Sequence, residues 1–277
     1  MQIRVWGARG SYISPQKSYA LYGGNTTCLE LTHQNGNRLI LDAGSGIIPF
    51  GRKVAMEEDE NREYHLLLTH THIDHLQGFP FFLPIHLRKT KIIIHCGRWD
   101  VTAVSKTFER LFATQYSPIK TIDNLSADIT FSEMDELSTY NVNGFDVTPV
   151  RTQHTTDTFA YLIKDNSQTS FGFITDHEID DPIINNRLIE SFSGCNLVFH
   201  DGQLDTHEYF DQKGWGHSTV EKAVRNGLDM SVAHFGLFHH SPDHQDTVID
   251  SMKRDILSDY NETMKISFVA EGQLFEV

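Results

Sequence analysis

With 277 residues, 39% hydrophobic and 11% aromatic, the chain can bury a substantial core as one large domain or two small ones. Its 37 acidic and 23 basic residues leave a formal net charge of −14, which removes the whole-chain electrostatic footprint for long nucleic acid and points to a small or compact substrate. No apolar run approaches a membrane span, and the opening MQIRVWGARG lacks the basic and apolar regions of a secretory signal. Three widely separated cysteines, Cys28, Cys96 and Cys195, make no disulfide framework, so the expected setting is cytoplasmic and reducing.

Along the chain, alternation predicts an opening strand over 2–6, then Gly7-Ala8-Arg9-Gly10 and a polar loop to Gly24. Strands follow over 26–32 and 38–41, joined by a hairpin turn at Asn35-Gly36. The small residues of Asp42-Ala43-Gly44-Ser45-Gly46 let the backbone pass close to another group. A short helix is expected over 47–58, a buried strand over 64–68, and a helix from about Leu76 cut by Pro80 and Pro84. A strand over 91–95 precedes a helix over 100–113, where Val101, Val104, Phe108, Leu111 and Phe112 recur at helical spacing. Strands then dominate: 129–131, 145–150, 159–163 and 170–174. Helices over 183–192, 218–225 and 248–257 alternate with strands over 196–200, 230–238 and 265–270. Runs of strands followed by helices, twice over, suit two packed sheets with helices outside. No linker, low-complexity block or internal repeat divides the chain, so one domain over 1–277 is expected.

The stretch Thr69-His70-Thr71-His72-Ile73-Asp74-His75 concentrates chemistry at the end of an apolar strand. Alternation puts His70 and His72 on one face of an extended segment, and Asp74 and His75 arrive as the chain turns. Imidazole nitrogen and carboxylate oxygen are zinc-ligand types, and a catalytic site keeps one position for water. A solvated histidine-rich loop is the bland reading, but this density is costly unless something binds the ring nitrogens.

Further candidates stand at other strand ends. His154 follows the strand at 145–150, and Asp176 follows Phe171-Gly172-Phe173-Ile174-Thr175, where its carboxylate could bridge two metals or simply cap a helix. His239 and His240 close another apolar strand, and neighbours on a strand face opposite sides, so only one points inward. His200 and Asp201 close Leu197-Val198-Phe199, and His217 precedes a helix that Ser218 could cap. His200 and His217 read equally as proton donors or as hydrogen-bonded structural histidines. The other eight histidines carry no motif.

The sequence His70-x-His72-x-Asp74-His75, with the later residues following in order, resembles the metallo-β-lactamase superfamily of metal-dependent hydrolases. The likeness runs from the first strand to the His239 segment. It is greatest to the phosphodiesterase branch, which includes ribonuclease Z and cyclic-nucleotide phosphodiesterases. Gly23-Gly24-Asn25-Thr26-Thr27-Cys28, Asp42-Ala43-Gly44, Thr175-Asp176, Gly216-His217-Ser218-Thr219 and His239-His240-Ser241-Pro242 carry that likeness. The resemblance implies an α+β fold, an αββα sandwich of two mixed β-sheets flanked by helices, with two metals at one edge. By position it implies that His70, His72 and His154 hold one Zn²⁺ and that Asp74, His75 and His239 hold a second, with Asp176 bridging. His239 is preferred to His240 because the family's last ligand stands two residues before a serine. Manganese or iron suits the same ligands.

The resemblance also implies the reaction. A hydroxide shared by the two metals would attack phosphorus in a small, cyclic-nucleotide-like phosphodiester, with Asp74 orienting it and His217, or else His200, protonating the leaving alkoxide. Asp42 is expected to support a ligand histidine. Ribonuclease Z carries His-Glu-Ala-Thr where this chain has His200-Asp201-Gly202-Gln203, and no basic Gly/Pro-rich arm is visible. Both departures weigh against an RNA 3′-end nuclease, which stays open as a second reading, and long nucleic acid is not expected as a partner. A thioester or lactone hydrolase of the same superfamily also stays open, as does a non-enzymatic metal-binding module. An oxygen-reducing diiron module would carry Glu at His72. No membrane association is expected, and a homodimer is common in this branch.

Overall fold

The computed structural model describes residues 1–57, 62–98, 101–119, 121–166, 169–260 and 264–277. Strands β1 (Gln2–Gly7), β2 (Cys28–Thr32), β3 (Arg38–Leu41), β4 (Glu63–Leu68), β5 (Lys91–Gly97) and β6 (Asp128–Met134) form one sheet. Its outer edge is completed by a strand from the other end of the chain, β14 (Leu274–Glu276). The second sheet comprises β7 (Tyr140–Val142), β8 (Phe145–Arg151), β9 (Phe159–Lys164), β10 (Ser170–Ile174), β11 (Leu197–Asp201), β12 (His234–Phe238) and β13 (Lys265–Phe268). Strands β7, β14 and the helix Thr206–Gln212 have no counterpart among the elements expected from the sequence; each is three to seven residues long.

In each sheet one half is antiparallel and the other parallel, which makes both mixed. Pairing is antiparallel through β14-β1-β2-β3 and parallel through β3-β4-β5-β6. Likewise it is antiparallel through β7-β8-β9-β10 and parallel through β10-β11-β12-β13. The β2–β3 hairpin turns at Asn35-Gly36, with Gly36 at φ +89°.

The sheets face one another over a core that includes Val5, Leu31, Leu41, Phe145, Tyr161, Phe171 and Phe199. Helices α1 (Ile47–Ala55) and α2 (Val101–Leu111) cover the outer face of the first sheet, through Phe50, Val54, Val104 and Phe108. Helix α3 (Pro182–Phe192) lies on the outer face of the second sheet; its N-cap Asp181 accepts hydrogen bonds from the Ile183 and Ile184 amides, and Pro182 suits its first turn. Helix α4 (Thr206–Gln212) starts on a reciprocal capping box between Asp205 and Glu208. Helices α5 (Val220–Asp229) and α6 (Asp246–Tyr260) complete the outer layer through Val224 and Ile249. The result is the expected αββα sandwich. No helix among the described residues is long and apolar enough to cross a membrane.

Three local expectations change. The helix from Leu76 is replaced by single turns at Ile73–His75, Phe79–Phe81 and Leu83–His86. Pro80 and Pro84 lack the amides a continuous helix needs, and a Cβ on Gly78 would lie 2.1 Å from the Gly44 carbonyl oxygen, so this segment packs too closely against the loop after β3. Helix α5 is capped by Thr219, which accepts from the Lys222 amide, while the Ser218 hydroxyl donates to the His177 carbonyl. The first helix ends at Ala55; Glu58 and Asp100, the outer bounds expected for the first two helices, lie outside the described residues.

Candidate metal centre

Parallel strands end on the same edge of a sheet, so the loops after them meet there. The His70–His75 segment leaves β4, His154 follows β8, and Asp176, Asp201 and His239 stand at the ends of β10, β11 and β12. Asp42, Asp176 and His239 adopt left-handed backbone, with φ of +58°, +52° and +59°. Each such non-glycine residue costs on the order of 1–3 kcal/mol unless its surroundings hold it there. All three turn the chain just after a strand; Asp176 and His239 enter the ligand sets, and Asp42 bonds the outer nitrogen of His75.

Two sets of ligand-type atoms gather, and a third, Asp176, His217 and His239, overlaps them. In one, His70, His72, His154 and Asp176 lie mutually within 4.8 Å, and in the other so do Asp74, His75 and His239. Asp176 reaches both. Its Oδ1 stands 3.6 Å from Nε2 of both His70 and His154, and its Oδ2 is 3.2 Å from His75 Nε2 and 3.3 Å from His239 Nε2. Asp74 Oδ2 is 3.2 Å from both His75 Nε2 and His239 Nε2.

The outer nitrogens of the rings fix which atoms face inward. His75 Nδ1 donates to Asp42 Oδ2 at 2.7 Å, and Asp42 is itself held by the amide and hydroxyl of Thr69, each at 2.8 Å. His154 Nδ1 donates to the Gly216 carbonyl at 2.9 Å. These bonds leave Nε2 of His75 and of His154 facing the other ligand-type atoms. His154 Nε2 is 3.0 Å from His72 Nδ1, and His75 Nε2 is 3.3 Å from His239 Nε2. His70 Nε2 is buried without a hydrogen-bond partner.

A cation satisfies such a set. Tetrahedral Zn²⁺ with bonds near 2.0–2.1 Å separates its ligand atoms by roughly 3.3 Å, and the spacings here run from 3.0 to 3.6 Å. The donor chemistry and the orphaned nitrogen therefore fit two divalent cations. Electrostatics agree. Burial drives the His70 imidazole well below its usual range, which keeps its lone pair free. Burial alone would raise the Asp176 carboxyl, but the histidines around it, His239 and His75 first, outweigh burial and hold it well below its usual range.

His217 stands beside these sets, with a ring nitrogen within 4.8 Å of ligand atoms of Asp176 and His239. Its Nδ1 donates to Asp201 Oδ2 at 2.7 Å. Burial opposes a charge on this ring, yet Asp201, Asp176 and Asp74 push it up to about 9. His200 does not join the centre. It neighbours Asp201 on β11, so its ring faces the other way, towards Phe235 and His177, with Nδ1 bonded to the Asp201 carbonyl and Nε2 3.3 Å from Asn226. His240 is likewise turned out, bonded to the Val269 carbonyl.

Two supports had no signal strong enough to find in the sequence. The Ser11 amide donates to Asp74 Oδ2 at 2.8 Å, from a residue at φ +59°. Glu178, 2% exposed, accepts from the Gly214 and Gly216 amides and from the Tyr209 hydroxyl, all at 3.0–3.1 Å. It thereby pins the loop whose Gly216 carbonyl holds His154. Gly216 has φ +91°, and a Cβ there would fall 1.9 Å from His154 Nδ1, so only glycine fits. An acidic residue two positions after Asp176 was the only cue to Glu178.

Residues 37–240 match a family model described as beta-lactamase superfamily domain. Ribonuclease Z of Metallosphaera sedula is 21% identical, over 88% of this chain and 91% of that protein. The metallo-beta-lactamase fold protein YhfI from Bacillus subtilis superposes with a TM-score of 0.72 at 15% identity, covering 99% of each chain. A diphosphatase from the PhnP family follows at 0.70 and 15%, over 100% of this chain and 97% of that one. At such identities the superpositions speak for the fold, whereas the family match spans most of the sequence and contains the His70–His75 cluster, His154, Asp176 and His239; the chain belongs to the beta-lactamase superfamily and has the metallo-β-lactamase fold.

Proposed function

We propose that the protein is a dinuclear metal-dependent phosphodiesterase acting on a small phosphodiester. The observation that carries this reading is the pair of ligand sets sharing one carboxylate, Asp176, with the His217–Asp201 pair at their edge. His70, His72 and His154 would hold one cation, and Asp74, His75 and His239 the other. Bound there, Zn²⁺, or Mn²⁺ or iron in the same ligands, lowers the pKa of water towards neutrality and neutralises charge developing on a phosphoryl oxygen.

The protein's own groups do the rest. With Oδ2 fixed by the Ser11 amide, the Asp74 carboxylate stands among the rings of His75 and His239, where it can accept a proton from an attacking water. Asp201 fixes the His217 ring so that its free nitrogen faces the centre, ready to protonate the leaving alkoxide. Thr69 and Asp42 hold His75, and Gly216 holds His154, so the site is preorganised before substrate arrives.

The likeness to ribonuclease Z supports a second reading, an RNA 3′-end nuclease. The formal −14 charge and the His200-Asp201-Gly202-Gln203 departure weigh against it. A superfamily hydrolase of thioesters or lactones is a third. Metal analysis of the purified protein, with turnover of cyclic nucleotides, bis-p-nitrophenyl phosphate, a precursor transfer RNA and acyl esters, decides among them. Acyl turnover without phosphodiester turnover rejects the proposal, as does a protein that binds no metal when supplied with zinc or manganese.

A further inference from the structure

A cavity of about 650 Å³ opens beside the metal loop, apart from the ligand sets themselves. Thr71 and Ile73 form part of its wall, and they alternate with His70, His72 and Asp74 in the chain, so wall and metal centre are made from one segment. Leu111 at the end of α2, Tyr116, Ile119 and Phe81 also line the cavity. Phe81 is 65% exposed and Tyr116 84%, and neither ring packs against another aromatic among the described residues. Arg110 also lines the cavity and makes no ion pair among the described residues.

We infer that this cavity receives the flat organic group of the substrate, a nucleobase or aryl ring, while the phosphorus lies at the metal centre. The inference rests on the phosphodiesterase reading of that centre. The volume falls within the roughly 300–1,000 Å³ of small-molecule sites, and its apolar lining carries a minority of polar side chains, Gln77, His86 and Arg110 among them. Uncommitted aromatic rings offer faces for stacking, and a free guanidinium adds a planar cation that prefers an electron-rich ring. Gln77 is anchored by its bond to Thr26 Oγ1 at 3.0 Å, so its remaining amide atoms are held at the wall. A bare phosphate or a simple methyl ester would leave all of this unused.

The test is equilibrium binding of adenosine 5′-monophosphate and of ribose 5-phosphate, by titration calorimetry on the full-length, zinc-supplied protein. The base should tighten binding by about tenfold or more, the scale of one stacked base. That ratio should collapse towards one in Phe81→Ala and Tyr116→Ala, two exposed positions whose truncation spares the core, and in Leu111→Trp, which fills the cavity. Equal affinity of the two ligands for the wild type overturns the inference, and so does a ratio that survives all three substitutions. Turnover is read separately: if the wild type cleaves acyl esters and no phosphodiester, the phosphodiesterase reading falls, whereas a base-dependent ratio that still collapses in the variants upholds the cavity as the subsite for the organic group.

Discussion

Glu178 offers the sharpest test of how the centre is built. Its buried carboxylate is bonded to two backbone amides and one phenol, and replacing it with alanine leaves all three without their partner. Hydrogen bonds to a charged group contribute about 1.5–3 kcal/mol each, and sharing and water entry reduce the sum, so Glu178→Ala should cost on the order of 3 kcal/mol. For a chain of this size that is a fall in melting temperature of roughly 6–12 °C. The decisive consequence is local. The freed Gly214–Gly216 loop no longer fixes the Gly216 carbonyl that holds His154 Nδ1, and losing such a support typically lowers metal affinity about 10- to 100-fold. The assay pairs thermal melting of the metal-free protein with zinc competition against a chelator of known affinity. The site containing His154 should weaken and the site containing His239 should hold, with Glu178→Gln intermediate. A destabilised Glu178→Ala that binds both zinc ions as tightly as the wild type would refute the reasoning, because Glu178 would then stabilise the loop without organising the metal centre.

Three further outcomes rest on the same geometry. His217→Ala should lower kcat on an unactivated diester by about 10²–10⁴ while metal content stays intact; loss of zinc in that variant would instead identify His217 as a ligand. Gly44→Ala should destabilise the fold by about 1–3 kcal/mol and reduce metal binding, because its Cβ would meet the Asp74 carbonyl oxygen at 2.3 Å and the Thr27 carbonyl oxygen at 2.6 Å; a normal melting temperature would refute this. Burial lowers the His95 imidazole, packed against His65, to about 4, whereas the unfolded chain takes up its proton near 6.5. Stability therefore declines as pH falls from 6.5 to 4 and this contribution is flat below; His95→Gln should recover on the order of 2 kcal/mol at pH 4 relative to pH 7, measured by urea denaturation at the two values.

Part of the centre is legible in the sequence because it is local. Three histidines and an aspartate within six residues, after an apolar strand, are chemistry that a short window contains. Most strands are legible too: their apolar runs are long enough to override weak local preferences, and the loop residues between them break the pattern. The sequence after Leu76 reads as a helix cut by Pro80 and Pro84, but it carries no trace of the close contact between Gly78 and the loop after β3, a segment about thirty residues earlier, which leaves only single turns there. The short elements β7, β14 and α4 carry too few residues for periodicity to register.

The amino-acid sequence by itself determined the ligand chemistry, the strands that deliver it and the order in which they come, since each depends on neighbours a few residues apart. The residues alone left open which side of a strand end looks inward, and for His239 over His240 only the family resemblance favoured one. Tertiary structure turned His200 out while Asp201, its neighbour, faced His217. It also recruited Ser11, Glu178 and the C-terminal strand β14, from positions far apart in the chain. The physical reason is that side-chain direction at a strand end depends on the register and on a single left-handed residue, and both are settled only when the two sheets close on one another.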